Sequence, residues 1–425
     1  MSFRFVHAAD FHLDSQFVGI SQVCPEARVF LSEATFRAFD NVIDLCVGEQ
    51  VDFLLVAGDS YEGPDITLRA QLHFQRGMMR LQQAGVQAYV IRGNHDPLNA
   101  NLAHLDWPPN VHFFGPKVTS EVYSKDGEPQ AIIHGVSFKR AKTEEDLALN
   151  FRRLDSPLFQ IGLLHCSVGS YKEHEPYAPC TVDELTRGAD ELKGAGLDYW
   201  ALGHIHKRQV LRESGPRIAY SGNTQGRHVN EAGPRGCFLV TVRGMEVSAE
   251  FVPTDVVRWG VETVSIASLE SEQALLRASS EALSSKSAES EGRPTVVRVV
   301  LEGMGPLHDR LQDEKFVTDY EEELRRMGSE LSPPVWIESV VQRTRPEIDV
   351  DERMKAEDVL ADCLRIIADA REGKLSNDEI VQWLGDLLGH HQVRKYVDVP
   401  GQLELMEMLE ASQSILLEEL VEDSE

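Results

Sequence analysis

Five apolar runs in the N-terminal part of this 425-residue chain end in side chains that could ligate a metal ion. They close on Asp10-Phe11-His12, Gly58-Asp59, Gly93-Asn94-His95-Asp96, His165 and Gly203-His204-Ile205-His206. Residues i and i+2 of extended chain face the same way, so Asp10 with His12, and His204 with His206, can each aim two donors at one point. Glycines at 58, 93 and 203 let the backbone pass close to such a cluster with no side chain intervening. Taken singly, each residue has a purely structural explanation: Asp10 as a turn residue, Asp59 as a helix N-cap, His165 as a core histidine bonded to a carbonyl. Five strand ends in succession, each delivering a ligand-type side chain, point instead to a metal site.

The elements that must position these residues alternate between strand and helix. FRFVHAAD (3–10), VDFLLVAGD (51–59) and VQAYVIRGN (86–94) read as strands, and Ala34 to Val47 and Thr67 to Ala84 as helices. FQIGLLH (159–165) and LDYWALGHIH (197–206) repeat the strand pattern, and GCFLVTV with VSAEFVP closes it with a hairpin near Arg258. The expectation is a largely parallel sheet covered by helices, with ligands at the carboxyl ends of the strands. VETVSI, TVVRVVL and VWIESVV, with helical patterns at Leu269 to Leu283 and Thr318 to Met327, predict a small α+β module over 259–345. Within it SSKSAESEGRP reads as a flexible loop, and RTRPEIDVDE as the linker that follows. Beyond it the pattern is helical: Met354 to Ala370, then Asn377 to Leu388 behind a capping box from Ser376 to Glu379, then Gln402 to Val421. Three regions result: 1–258, 259–345 and an acidic helical region 346–425.

With 42% apolar residues and no 18-residue apolar run, the chain has the composition of a soluble protein with a large core and no membrane span. The N-terminus lacks the layout of a signal peptide, so a cytoplasmic location is expected. Six cysteines without a CxxC pair fit reduced thiols, not structural zinc. The formal charge of −27 argues against nucleic-acid binding, which is usually accompanied by basic excess. Its distribution softens that objection. Residues 346–425 carry 21 acidic and 7 basic side chains, 259–345 carry 16 and 10, and 1–258 carry 32 and 25. Half of the excess therefore lies in the last 80 residues.

The ordered set D-x-H, G-D, G-N-H-D, H and G-H-x-H resembles the calcineurin-like metallophosphoesterase superfamily. The surroundings HAADFHLD, SYKEHEPYAPC, DYWALGHIHKRQV and SGNTQGRHVNEAGPRG are similar to bacterial DNA repair exonucleases of the SbcD type, closest to the YhaO-like branch. The resemblance spans 3 to about 258 strongly and 259–345 moderately, through RVVLEGMGPLHDRL. It implies a sandwich of mixed sheets flanked by helices, a capping α+β module and a helical C-terminal tail. It also implies one metal held by Asp10, His12, Asp59 and His206 and another by Asp59, Asn94, His165 and His204, with Asp59 bridging. Four imidazoles, two carboxylates and one amide suit Mn²⁺ or Fe²⁺ better than all-oxygen Mg²⁺, and the family implies manganese. Two divalent cations ~3.5 to 4 Å apart can acidify a shared water and neutralise phosphoryl oxygens, the requirements of phosphodiester hydrolysis. His95 is left as a non-ligand beside the scissile phosphorus, where it could stabilise charge or protonate the leaving oxygen, with Asp96 expected to orient its ring.

A phosphoprotein phosphatase shares this metal core, but its second motif resembles G-D-x-x-D-R-G, whereas here the stretch is Gly58-Asp59-Ser60-Tyr61-Glu62-Gly63, without arginine. A structural protein without activity would be free to lose ligands, and here every expected position is filled. Arg92, Lys207, Arg208, Arg227 and His228 are candidate DNA contacts. In the tail, Leu405, Met406, Leu409, Leu416, Leu417 and Leu420 form an apolar stripe among acids, which could cover the protein's own core or dock in a groove elsewhere. The resemblance implies an SMC-like ABC ATPase as partner through this region, and homodimerisation through the nuclease domain.

Overall fold

A computed structural model of the chain describes residues 2–15, 17, 25–63, 66–169, 177–187, 196–346, 350–371, 374, 412 and 416. In chain order the strands are β1 (Ser2–Ala8), β2 (Phe53–Ala57), β3 (Gln87–Ile91), β4 (Val111–Phe113), β5 (Thr119–Lys125), β6 (Glu128–Gly135), β7 (Phe159–His165), β8 (Tyr199–Gly203), β9 (Gln209–Arg212), β10 (Arg217–Tyr220), β11 (Gly236–Arg243), β12 (Glu246–Pro253), β13 (Arg258–Ser265), β14 (Thr295–Met304) and β15 (Val335–Arg345). They form a six-stranded sheet of order β12-β11-β1-β2-β3-β4, a second of order β5-β6-β7-β8-β10-β9, and a three-stranded sheet β13-β14-β15. In the first sheet β1 to β4 are parallel and β11 and β12 antiparallel. In the second, β6, β7, β8 and β10 are parallel and the edge strands β5 and β9 antiparallel.

The two large sheets pack face to face because their strands are apolar on both sides. Phe3, Phe5, Phe53, Leu55 and Ile91 of the first sheet meet Ile133, Phe159, Ile161, Leu163 and Tyr199 of the second. The alternate residues Val6, Ala8, Leu54 and Val56 face outward onto Phe36, Phe39, Val42 and Ile43 of helix Ala34–Gly48, and onto Phe74, Met78 and Leu81 of helix Leu68–Gln83. Leu164, Trp200 and Leu202 cover the other outer face with Leu147, Phe151 and Leu185. The strands at 159–165 and 197–206 thus belong to a second sheet, where sequence periodicity alone extended the first. Apolar periodicity does not mark the β5–β6 hairpin, in which Asp126 and Gly127, at φ of 53° and 82°, supply the left-handed pair that a tight hairpin turn requires.

The chain divides into two units, Met1–Gly303 with Asp309–Thr344, and Met304–His308 with Arg345–Glu425. In the first unit the three-stranded sheet carries helices Glu272–Glu289 and Glu314–Ser329, capped by Ser271 and Asp313. Trp259, Val296 and Trp336 of this part share a core with Ala27, Leu31 and Val229. The expected loop at SSKSAESEGRP is helical as far as Glu289, because Leu283 and Ser287 are buried and Ser287 Oγ donates to Pro333 O at 2.7 Å. The expected linker is shortened in turn: β15 continues to Arg345 and Val350–Arg353 is a helical turn. In the second unit the helix expected from Met354 starts at Val359, after Asp358 Oδ1 accepts from Ala361 N at 2.9 Å, and runs to Arg371. The expected helices Asn377 to Leu388 and Gln402 to Val421, with their capping box, lie outside the described residues apart from single positions. Among the described residues no helix is long and apolar enough to cross a membrane.

Candidate metal centre

The ends of β1, β2, β3, β7 and β8 come from both large sheets and meet at one edge of the sandwich. Asp10 N donates to Gly58 O and His12 N to Asp59 O, each at 3.1 Å, so the first two strand ends continue side by side past the sheet. Asp10, His12, Asp59 and His204 have positive φ, at 52°, 45°, 51° and 97°. Such backbone costs about 1–3 kcal/mol at a non-glycine residue and persists where the surroundings over-determine it, typically at functional sites. Gly58 has φ 95°, and a Cβ there would stand 2.4 Å from His165 Nδ1.

The candidate ligands are drawn together. His12 Nε2 and His206 Nε2 are 3.0 Å apart, and His12 Nε2 is 3.9 Å from Asp59 Oδ2. On the other side of Asp59, His165 Nε2 lies 3.3 Å from Oδ2 and 2.9 Å from Asn94 Oδ1, which is itself 3.1 Å from His204 Nδ1. Asp10 accepts from His204 N at 3.1 Å. Asp10, His12 and His206 form one group whose donors could share a cation, and Asp59, His165 and His204 a second. Neighbouring donors around an ion bound at about 2.1 Å stand about 3 Å apart, so this convergence fits a pair of cations. Carboxylates as deeply buried as Asp10 and Asp59 would be costly without such positive charge. Burial raises the Asp10 carboxyl, whereas for Asp59 the penalty of burial is outweighed by His165, which holds it well below the carboxylate range. Burial and the nearby Arg227 charge push His12 down to about 3, keeping the imidazole neutral as ligation requires.

Asp96 does not orient His95. Its Oδ1 accepts from Gly93 N at 2.8 Å and its Oδ2 from Ser60 N at 2.9 Å, so it ties the third strand end to the second. Burial and the Asp59 charge push this carboxyl up to about 7. The carboxylate beside His95 belongs to Glu62, with Oε1 2.9 Å from His95 Nδ1 and Oε2 2.9 Å from His12 Nδ1. Glu62 lies in the stretch Gly58-Asp59-Ser60-Tyr61-Glu62-Gly63, where no motif distinguishes it from a solvated surface acid. Its third partner is Arg227, which also donates to Ser15 Oγ at 3.1 Å. Arg227 is therefore directed into the site and not toward solvent. Of the other basic candidates, Arg92 lies over the Phe113 ring and Arg208 over the Phe251 ring, Lys207 is exposed, and His228 Nε2 is 3.5 Å from Glu231 Oε1. Lys139 and Arg140, which no sequence motif marks, are exposed side chains that follow Phe138, whose ring meets that of His165 edge-on at 5.4 Å.

Residues 3–208 match the family described as calcineurin-like phosphoesterase, and residues 259–345 match the middle domain of metallophosphoesterase YhaO. The chain belongs to the calcineurin-like metallophosphoesterase family, whose members use divalent metal ions. Within that family it is YhaO-like: it is 34% identical over 417 residues, 98% of its length and 97% of the relative's, to an uncharacterized metallophosphoesterase YhaO of Bacillus subtilis (strain 168). It is also 26% identical to the DNA double-strand break repair protein Mre11 of Methanosarcina mazei, over 59% of this chain and 38% of that one. To the SbcD component of the nuclease SbcCD of Bacillus subtilis it is 24% identical, over 54% of this chain and 63% of the relative. The match thus spans less than two thirds of the length of each of these two relatives.

Proposed function

We propose that the chain is a metal-dependent DNA nuclease, hydrolysing phosphodiesters and acting on DNA ends as an exonuclease in DNA repair. The observation that carries this reading is the convergence of five strand ends on two adjoining donor groups, with Asp59 Oδ2 3.3 Å from His165 Nε2 in its own group and 3.9 Å from His12 Nε2 in the other. Similarity to a repair protein and to a nuclease component supports DNA as the substrate. Asp10, His12, Asp59 and His206 would hold one cation and Asp59, Asn94, His165 and His204 the other; their mixed donors suit Mn²⁺ or Fe²⁺, and the family resemblance favours Mn²⁺. Bound there, two divalent cations supply neutralisation of the phosphoryl oxygens and a water of lowered pKa.

The chain's own residues supply the rest. His95, half-exposed beside the donors, holds a proton for the leaving oxygen, and Glu62 fixes its ring through Nδ1. Although burial disfavours a charge on His95, the Glu62 hydrogen bond and the Asp59 charge raise its pKa. Lys139, Arg140 and Lys207 are exposed where a phosphate backbone could approach, and they suit sequence-independent contact. The phosphomonoesterase alternative needs a guanidinium free to take phosphoryl oxygens, and Arg227 instead pairs with Glu62. An SMC-like ATPase docking on residues 346–425, and a second copy of the chain, complete the proposed assembly.

The decisive assay compares end-labelled and circular DNA, bis-p-nitrophenyl phosphate and p-nitrophenyl phosphate under Mn²⁺, Mg²⁺ and chelator. Mn²⁺-dependent cleavage of DNA and the diester is expected, and Asp59→Asn or His204→Ala should remove both. Preference for the monoester, or full turnover in either variant, would overturn the reading.

A further inference from the structure

His206 stands three residues beyond the end of β8 with its ring partly open to solvent. Its support comes from a distant segment. Glu231, in the short turn Val229–Glu231, places Oε1 2.6 Å from His206 Nδ1. A carboxylate only accepts hydrogen bonds, so this contact fixes the ring proton on Nδ1 and leaves Nε2 bare, facing His12 Nε2 at 3.0 Å. Arg227 Nη2, 3.4 Å from the same Nδ1, cannot substitute, because a guanidinium has no acceptor.

The Glu231 carboxylate is itself held in place. Its Oε2 accepts from Arg227 N at 2.7 Å and from Asn223 Nδ2 at 3.0 Å. Arg235 spans the arrangement, donating to His206 O at 2.6 Å, Asn223 Oδ1 at 3.2 Å and Glu231 O at 3.1 Å. The segment is anchored in turn to the start of the three-stranded sheet, where Trp259 Nε1 donates to Gly226 O at 2.9 Å and Gln225 Nε2 to Val257 O at 2.7 Å. By contrast His165, in the other donor group, has a backbone carbonyl as its Nδ1 partner, Ala57 O at 2.9 Å.

We infer that Glu231 is the positioning residue of His206, so that one of the two metal positions depends on a side chain supplied by the 221–235 segment and the other does not. The inference rests on the assignment of His206 as a ligand. It is tested by calorimetric titration of Mn²⁺ into the metal-free full-length chain, with thermal melting to confirm folding. Glu231→Gln should weaken one of two binding events by about 10- to 100-fold, the range for loss of a ligand's hydrogen-bond partner, and leave the other unchanged. In a His206→Ala background the same substitution should add nothing. If Glu231→Gln does not fold, Asn223→Ala, which removes one of the bonds holding the carboxylate, is measured with the same expectations. Wild-type affinity at both events in Glu231→Gln, beside a weakened His206→Ala, would overturn the inference alone, as would a further loss in the double variant. Two unaltered events in His206→Ala would overturn the ligand assignment beneath it.

Discussion

Glu62 Oε1 lies 2.9 Å from Nδ1 of His95, so the imidazole outside the two proposed ligand sets is oriented by a carboxylate from the loop after β2, and with His12 the pair forms a third cluster of donors. The second Glu62 oxygen reaches His12, and the two rings meet edge-on with centroids 4.8 Å apart. One side chain therefore supports both a proposed ligand and the proposed acid.

His95→Ala should retain two metal ions per chain by elemental analysis while its diester hydrolysis falls by roughly 10²- to 10⁴-fold, the usual contribution of a positioned acid. Loss of a metal in that variant would make His95 a ligand. Glu62→Gln should reduce the rate and also weaken Mn²⁺ binding, because His12 loses its partner as well.

Gly93→Ala should lose bound metal although it adds a single methyl group. A Cβ there would stand 2.3 Å from Asp59 Oδ1 and 2.7 Å from His165 Nε2, which forces two candidate ligands out of position. Gly115→Ala is the control, with nothing within 4 Å of its added carbon. Equal metal content in the two variants, each folded by circular dichroism, would contradict this account.

His7, fully buried in β1, has Nδ1 3.0 Å from Tyr199 Oη and Nε2 3.1 Å from Leu202 O. Burial pushes it down from 6.5 to about 4, so between those values the unfolded chain binds a proton that the folded chain refuses. The neutral ring's contribution to stability is present above pH 6.5 and is lost as the pH falls toward 4, amounting to about 3 kcal/mol over that window. Denaturant titrations should show a shallower acid limb for His7→Gln than for the wild type. Parallel limbs would mean that other groups carry the pH dependence.

Deletion of residues 346–425 should leave diester hydrolysis intact, since no candidate donor lies there. With 21 acidic and 7 basic side chains removed, DNA affinity should stay level or rise, because repulsion of phosphate is reduced. Co-purification with an SMC-like ATPase should disappear. An ATPase still captured by the truncated chain, or loss of DNA binding, would move the docking surface into the first unit.

The sequence by itself determined the local elements and the inventory of donors. Apolar strands with glycine, aspartate and histidine at their ends stand out because strand-end position and i, i+2 spacing are properties of neighbouring residues. The tertiary structure alone decided that the donors come from two sheets: β1, β2 and β3 on one, β7 and β8 on the other. Strands buried on both faces read the same whichever sheet they join, so periodicity could not separate them. The helix through Ser284–Glu289 was likewise hidden, because its polar sequence is held by burial of Ser287 against Pro333, a contact 46 residues away. Asp96 and Glu62 exchanged roles for the same reason. Asp96 is adjacent to His95 in sequence, but its carboxylate turns back to the Gly93 and Ser60 amides, and Glu62 reaches the ring across the fold. Glu231 likewise lies 25 residues from His206, and hydrogen bonds over such separations exist only once the chain has folded.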